Sequence, residues 1–333
     1  MKYWGMRFKG HKLPSILAVT LLGITFLGCN NAGRHFEAQG GVLDLRDWDV
    51  SEQPTVLLTG EWHYFWNEFL DPVSVSAASP VEASGVMTVP TFWNGLANPA
   101  SPSGELGSDG YMTLTLRVLL PPGLEMGDLA LSSRGANSST ELFVTSSSGV
   151  QSVLRHGTVA SRIEEAIPDW SIQYGRFSSP PDGIVDLVWH VSNHHHYYGG
   201  TWRMPTLGLA DVIRSRHERD KYLLSAMLGV FLMMGLYHLG LFAQRRRRDT
   251  TLWFSLLCFC CALAVASFNY FFFLTGWEAS VGKFVIIVKL LLLTPLFAGA
   301  LTILYFASAI PSAWFSRYAT VACSLYVLMG LPV

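Results

Sequence analysis

The chain has 333 residues, of which 50% are hydrophobic and 14% charged, with a formal net charge of −1 and a mean hydropathy of +0.32. A soluble globular domain rarely combines so few charges with so much apolar content, so part of the chain is expected in a membrane. The near-neutral balance excludes a basic field of the kind that draws nucleic acid, and the spacing of the five cysteines excludes a disulfide scaffold.

The N-terminal stretch "MKYWGMRFKGHKLPSILAVTLLGITFLGCNN" sets Lys2, Arg7, Lys9 and Lys12 before an apolar run from about Leu13 to Leu27. That is the plan of an export signal, expected over residues 1–29. It ends in "FLGC", which places Cys29 where a bacterial lipobox carries its lipidated cysteine. An ordinary signal with an incidental cysteine, or an uncleaved anchor, would export the same downstream residues.

Residues 40–212 are polar, rich in Gly, Ser and Pro, and contain no cysteine. "VLDLRDW", "VLLTGEWHYFW", "GVMTVPTFW", "GYMTLTLRVLL", "LALSSRG", "TELFVTSS", "VDLVWHVSN" and "RMPTLGLA" read as short strands separated by turn clusters such as "SSSG" and "SSPPDG". Many short strands without helices predict a β-sandwich of jelly-roll-like form, here as an extracytoplasmic domain. Its tryptophans (Trp48, Trp62, Trp66, Trp93, Trp170, Trp189 and Trp202) are expected mostly in the core, although indoles also make sugar-stacking platforms.

"VSNHHHYYGGTWRMP", Val191 to Pro205, is the candidate site. On a strand, His194 and His196 would share a face while His195 points away. Two histidines without a nearby cysteine or carboxylate do not complete a zinc site, so no metal or other cofactor is expected. No nucleophile or second acid in recognisable spacing accompanies them, so neither catalysis nor any enzyme activity is expected. The residues favour a turn, with Gly199 and Gly200 at positive φ and Asn193 closing it through its side chain. A sharper alternative adds a ligand-binding or coupling role for Asn193, His195, His196 and Trp202, because loops on rigid sandwiches carry function.

Residues 213–221, within "RSRHERDK", contain no Pro or Gly and are expected as a helical stalk. Four membrane spans follow, over about 222–243, 252–274, 284–306 and 314–333, each long enough for a hydrocarbon core of ~30 Å. Arg245, Arg246, Arg247 and Arg248 mark the first exit as cytoplasmic. The aromatic cluster Phe268 to Trp277 marks the opposite interface. Within the spans, Lys289 is read as snorkelling to that interface, Cys258, Cys260 and Cys261 as helix-packing residues, and Pro295 as a kink.

Taken together, "LDLRDWDVSEQPTVLLTGEWHYFWNEFLDP", "VPTFWNG", "GYMTLTLRVLLPP" and "VSNHHHYYGGTWRMPTLGLAD" resemble the second type of extracellular domain carried by bacterial seven-transmembrane receptors with diverse intracellular signalling modules. "MLGVFLMMGLYHLGLFAQRRRRDTTLWFSLLC" resembles the start of their membrane domain, so the resemblance covers about residues 40–333. It places Asn193, His195, His196, Gly199 and Gly200 on the family's N-x-H-H…G-G pattern. It implies a jelly-roll-like domain for small ligands, carbohydrates being one candidate class, that signals through membrane helices. Family members carry seven spans and a cytoplasmic output module; the sequence here shows about four spans. The expected protein is therefore an inner-membrane receptor with a periplasmic sensor domain. Its expected partners are a small-molecule ligand, the membrane, and either a second copy in a homodimer or a separate cytoplasmic output protein. A lipid-tethered envelope binding protein without signalling is the alternative.

Overall fold

The computed structural model describes residues 34–75, 83–97, 104–122, 124, 128–136, 138–245, 249–269 and 280–310, together with 318, 321 and 323. The export signal with Cys29, the arginines 246–248, residues 270–279 and most of the fourth expected span lie outside them.

Among the described residues, thirteen strands precede three long helices. In chain order the strands are β1 (Val42–Asp44), β2 (Thr55–Leu57), β3 (Gly60–Trp66), β4 (Gly85–Val89), β5 (Thr91–Phe92), β6 (Gly110–Leu119) and β7 (Asp128–Ser133). They continue as β8 (Ser139–Ser146), β9 (Gly149–His156), β10 (Gln173–Ser178), β11 (Ile184–Asn193), β12 (Gly200–Thr201) and β13 (Thr206–Leu209). A seven-stranded sheet runs β4-β3-β6-β11-β8-β9, with β1 added in parallel beside β6. The facing sheet runs β10-β7-β13-β2, and β12 pairs with β5 as a separate ribbon. Apart from β1, every named strand pairing is antiparallel, which gives the expected β-sandwich.

The core lies between the sheets. Trp62, Trp93 and Trp189 are fully buried there with Leu43, Leu114, Leu116, Leu129 and Leu131. Trp62 and Trp189 meet at 6.0 Å, and each indole buries a large apolar area. Trp48 is also buried, whereas Trp66 and Trp170 are half-buried and Trp202 is 39% exposed, so the tryptophans divide between core and surface.

Strand β11 departs from simple alternation, because nearly all of its residues are buried on both faces. The cause is the segment after β3, which crosses the outer face of the large sheet. There Thr113 Oγ1 donates to Glu68 O (2.7 Å) and accepts from Leu70 N (3.0 Å), and Thr145 Oγ1 donates to Pro72 O (3.1 Å). His190 Nε2 lies 2.8 Å from Leu70 O, and Phe69 stacks against Tyr111 and His190. Such a strap converts a half-exposed sheet into one covered on both sides.

Helix α1 (Ala210–Arg245) starts at the residue after β13 and runs unbroken through the stretch expected as a stalk. It is followed by α2 (Asp249–Asn269) and α3 (Val281–Ala309). Ala210–Gln244, Asp249–Ser267 and Val281–Ala309 are long and apolar enough to cross a membrane. Small residues set the helix contacts. Gly235 faces the ring of Phe259, and its carbonyl accepts from Ser255 Oγ (2.8 Å). Cys260 Sγ donates to Thr294 O (3.3 Å), one residue before Pro295 in α3, and Thr250 Oγ1 donates to Ser308 O (3.2 Å).

Candidate functional site

Strand β11 ends at Asn193, opposite Gly110, and the chain then bends sharply through His194–Tyr198 before entering β12. Asn193 is 1% exposed. Its Nδ2 donates to His196 O (2.8 Å) and to Ser108 O (2.9 Å), and its Oδ1 accepts from His196 N (3.2 Å). One side chain thus closes the bend and ties it to the neighbouring loop, which is how a short amide serves a turn.

The strand alternation expected for the three histidines does not extend this far, because regular pairing stops at Asn193. Each ring has its own surroundings. His194 Nδ1 lies 2.6 Å from Asp109 Oδ1, and its Nε2 lies 3.0 Å from Ala160 O. The ring thus bridges the loop before β6 to the segment after β9. His195 is half-buried with no hydrogen-bond partner at Nδ1; burial, and then the neighbouring His194, hold its proton affinity below the ordinary value. His196 Nδ1 accepts from Tyr198 N (3.2 Å), and its ring meets Trp170 edge-on at 5.5 Å. Among the described residues no three His, Cys, Asp or Glu side chains converge as a metal site.

The two glycines serve different ends. Gly200 holds φ at +120°, and a Cβ there would press on the β5 backbone at Thr91 O (2.5 Å). Gly199 does not take positive φ, which corrects the expectation for it. Glycine is required there because a Cβ would enter the Trp93 indole. Around it Gly199 N donates to Asn94 Oδ1 (2.8 Å) and Trp93 N donates to Gly199 O (3.0 Å). Asn94 Nδ2 reaches Tyr197 O (3.3 Å), and β12 pairs with β5. The loop is therefore locked onto "VPTFWNG".

Past the turn, Trp202 stands beside Trp170 at 6.1 Å, with the Arg203 guanidinium 4.9 Å from the Trp202 ring centroid. Trp170 in turn packs edge-on against Phe284 of α3 at 4.7 Å. The structure thus brings Asn193, His196, Gly199, Gly200 and Trp202 into one connected region and leaves His195 aside. Trp170, Asn94, Asp109 and Phe284 join that region, although sequence reasoning gave Asn94, Asp109 and Phe284 no site role and expected Trp170 only as a core or stacking indole. Asn94 carried a signal, since it lies inside a motif already singled out. The backbone of Arg245 ends α1, while residues 246–248 are not described.

A strand-rich sandwich continuing directly into three apolar helices, and touching them through an aromatic contact, defines a membrane protein with a folded domain outside the hydrocarbon. Residues 220–333 match the family model "7TM diverse intracellular signalling", and the membrane part of the chain belongs to that family of signalling receptors. Among curated proteins none matches the chain. Among solved structures, a β-glucuronidase of Faecalibacterium prausnitzii is similar at 12% identity over 46% of this chain and 31% of its own, with a TM-score of 0.33. A GH2 β-galacturonidase of Eisenbergiella tayi is similar at 15% identity over 46% of this chain and 24% of its own, with a TM-score of 0.30. The β-glucuronidase of Ruminococcus gnavus gives 12% identity, 46% and 28% coverage and a TM-score of 0.32. The chain spans about a third or less of these structures, and at this level the likeness says nothing of activity.

Proposed function

We propose that this chain is the sensing and membrane part of a signal-transduction receptor. Its β-sandwich, of the second extracellular type in this family, faces the periplasm from the bacterial inner membrane and binds a small ligand, carbohydrates being the class to try first. Residues 40–212 form the sensor, 213–221 the stalk and 222–333 the relay. Residues 1–29 supply the export signal, and Cys29 its lipid attachment.

The observation that carries this reading is the contact of Trp170 with Phe284. Trp170 also touches His196 and Trp202, so a change in the loop after β11 reaches α3 through one indole. A conformational change needs a ligand that distinguishes two states, and this aromatic group joins the loop to the helix without passing through the sandwich core.

The test uses the full chain in a neutral detergent and a panel of neutral and acidic mono- and disaccharides, followed by hydrogen exchange across residues 281–291. A sugar that stabilises the protein should change exchange there in the parent and not in Trp170→Ala. Binding that leaves α3 unchanged in the parent would refute the coupling. A panel without a binder would refute the carbohydrate class.

A further inference from the structure

A cleft separates the β-domain from the C-terminal end of α2 and the N-terminal end of α3, and its two sides differ in chemistry. The side formed by the β-domain presents Arg134, Arg203, Trp170 and Trp202. The helical side presents Ile287 and Leu291 of α3, with Ser267 of α2 beside them.

Arg134 follows β7 and is largely covered, yet among the described residues neither Arg134 nor Arg203 has a carboxylate within 4.0 Å. Burial, and then the Arg203 charge, push the Arg134 proton affinity down; Asp220 offsets only part of this. Two arginines lining one space, with no acid paired to them among the described residues, form a site for an anion, and their planar forks match phosphate oxygens. The accessible space in the cleft is small, about 30 Å³, so headgroup oxygens can enter it and a sugar ring cannot.

The position of the cleft identifies the rest of the ligand. Ile287 lies in the second turn of α3 and Ser267 near the end of α2, so the cleft sits where the apolar helices begin. Arginine and tryptophan above an apolar floor at that depth match the boundary between headgroups and acyl chains.

We propose that this cleft binds the phosphate of an anionic phospholipid, its oxygens held between Arg134 and Arg203 and its acyl chains leaving along α3 past Leu291. A free phosphate monoester shares the headgroup chemistry but not the tail. The inference rests on the cleft alone and does not require the receptor reading.

The test measures thermal unfolding of the full chain in a neutral detergent with added phosphatidylglycerol, phosphatidylcholine or soluble glycerol phosphate. Phosphatidylglycerol should raise the midpoint by roughly 3–6 °C, and phosphatidylcholine should leave it unchanged. Arg203→Gln, at an exposed position, should keep the fold and weaken the phosphatidylglycerol effect about tenfold in concentration, a loss on the order of one charge-assisted contact. Arg134→Gln should weaken it further. Arg46→Gln, beside Pro121 and Pro122 and outside the cleft lining, should match the parent. Equal effects of the two lipids, or an undiminished effect in Arg203→Gln, would overturn the site. A response to glycerol phosphate equal to that of the lipid would overturn the lipid as its source.

Discussion

Gly199 and Gly200 are adjacent but fail for different reasons when substituted. Gly200→Val forces a β-branched residue to positive φ, which costs about 1–3 kcal/mol, and presses it on the β5 backbone; Gly199→Val, without that strain, must displace the buried Trp93 indole. Chemical denaturation should therefore show both changes as strongly destabilising. His195→Leu should be close to neutral, since it removes a buried nitrogen that has no partner. Acid should act most on the more deeply buried histidines. His156, with His190 beside the strap, is held neutral mainly by burial, Asp169 opposing this at His156 and Leu70 O at His190. In the unfolded chain each titrates near 6.5. Below that pH the unfolded chain binds more protons than the folded one, so stability is complete above about 6.5 and declines as pH falls toward the lower folded values. Melting midpoints should be flat from pH 8 to 7 and drop toward pH 5, and His156→Asn should reduce the slope; a flat profile across the whole range would refute this assignment.

The strap over the large sheet makes a second test available among the elements. Thr113→Val leaves both Glu68 O and Leu70 N without their partner. The expected loss is about 1–3 kcal/mol, read as a lower denaturation midpoint and faster exchange over residues 67–75. That strap also shows where sequence reading ends. Strands β6, β8 and β11 were legible from their runs of apolar and β-branched residues, and the long helices from their hydropathy. Strands β9 and β10 were not, because "GVQSVLRH" is mostly exposed, "QYGRFS" is mostly half-buried, and neither shows a clear alternation. Asn193 as turn closer and Gly200 as a positive-φ residue could be read locally. The need for glycine at 199 could not, since it comes from Trp93, more than a hundred residues earlier in the chain. The neighbours of Trp170 were hidden for the same reason: nothing near it in sequence points to Phe284.

For the whole molecule, topology is the most direct test. A reporter fused after Gly208 should behave as periplasmic and one after Arg248 as cytoplasmic; the reverse pattern would refute the orientation. The manner in which β13 passes into α1 without a connecting loop has a mechanical consequence. A helix of 36 residues is about 54 Å long, so it acts as a lever with its handle built into the small sheet. A tilt of roughly 5° at Ala210 would carry the Arg245 end through about 5 Å. Adding one alanine between Arg216 and His217 would instead turn everything beyond it by about 100° and lengthen it by only about 1.5 Å. A sensor working by this lever would be mis-set by one added residue and largely re-set by a full turn of four.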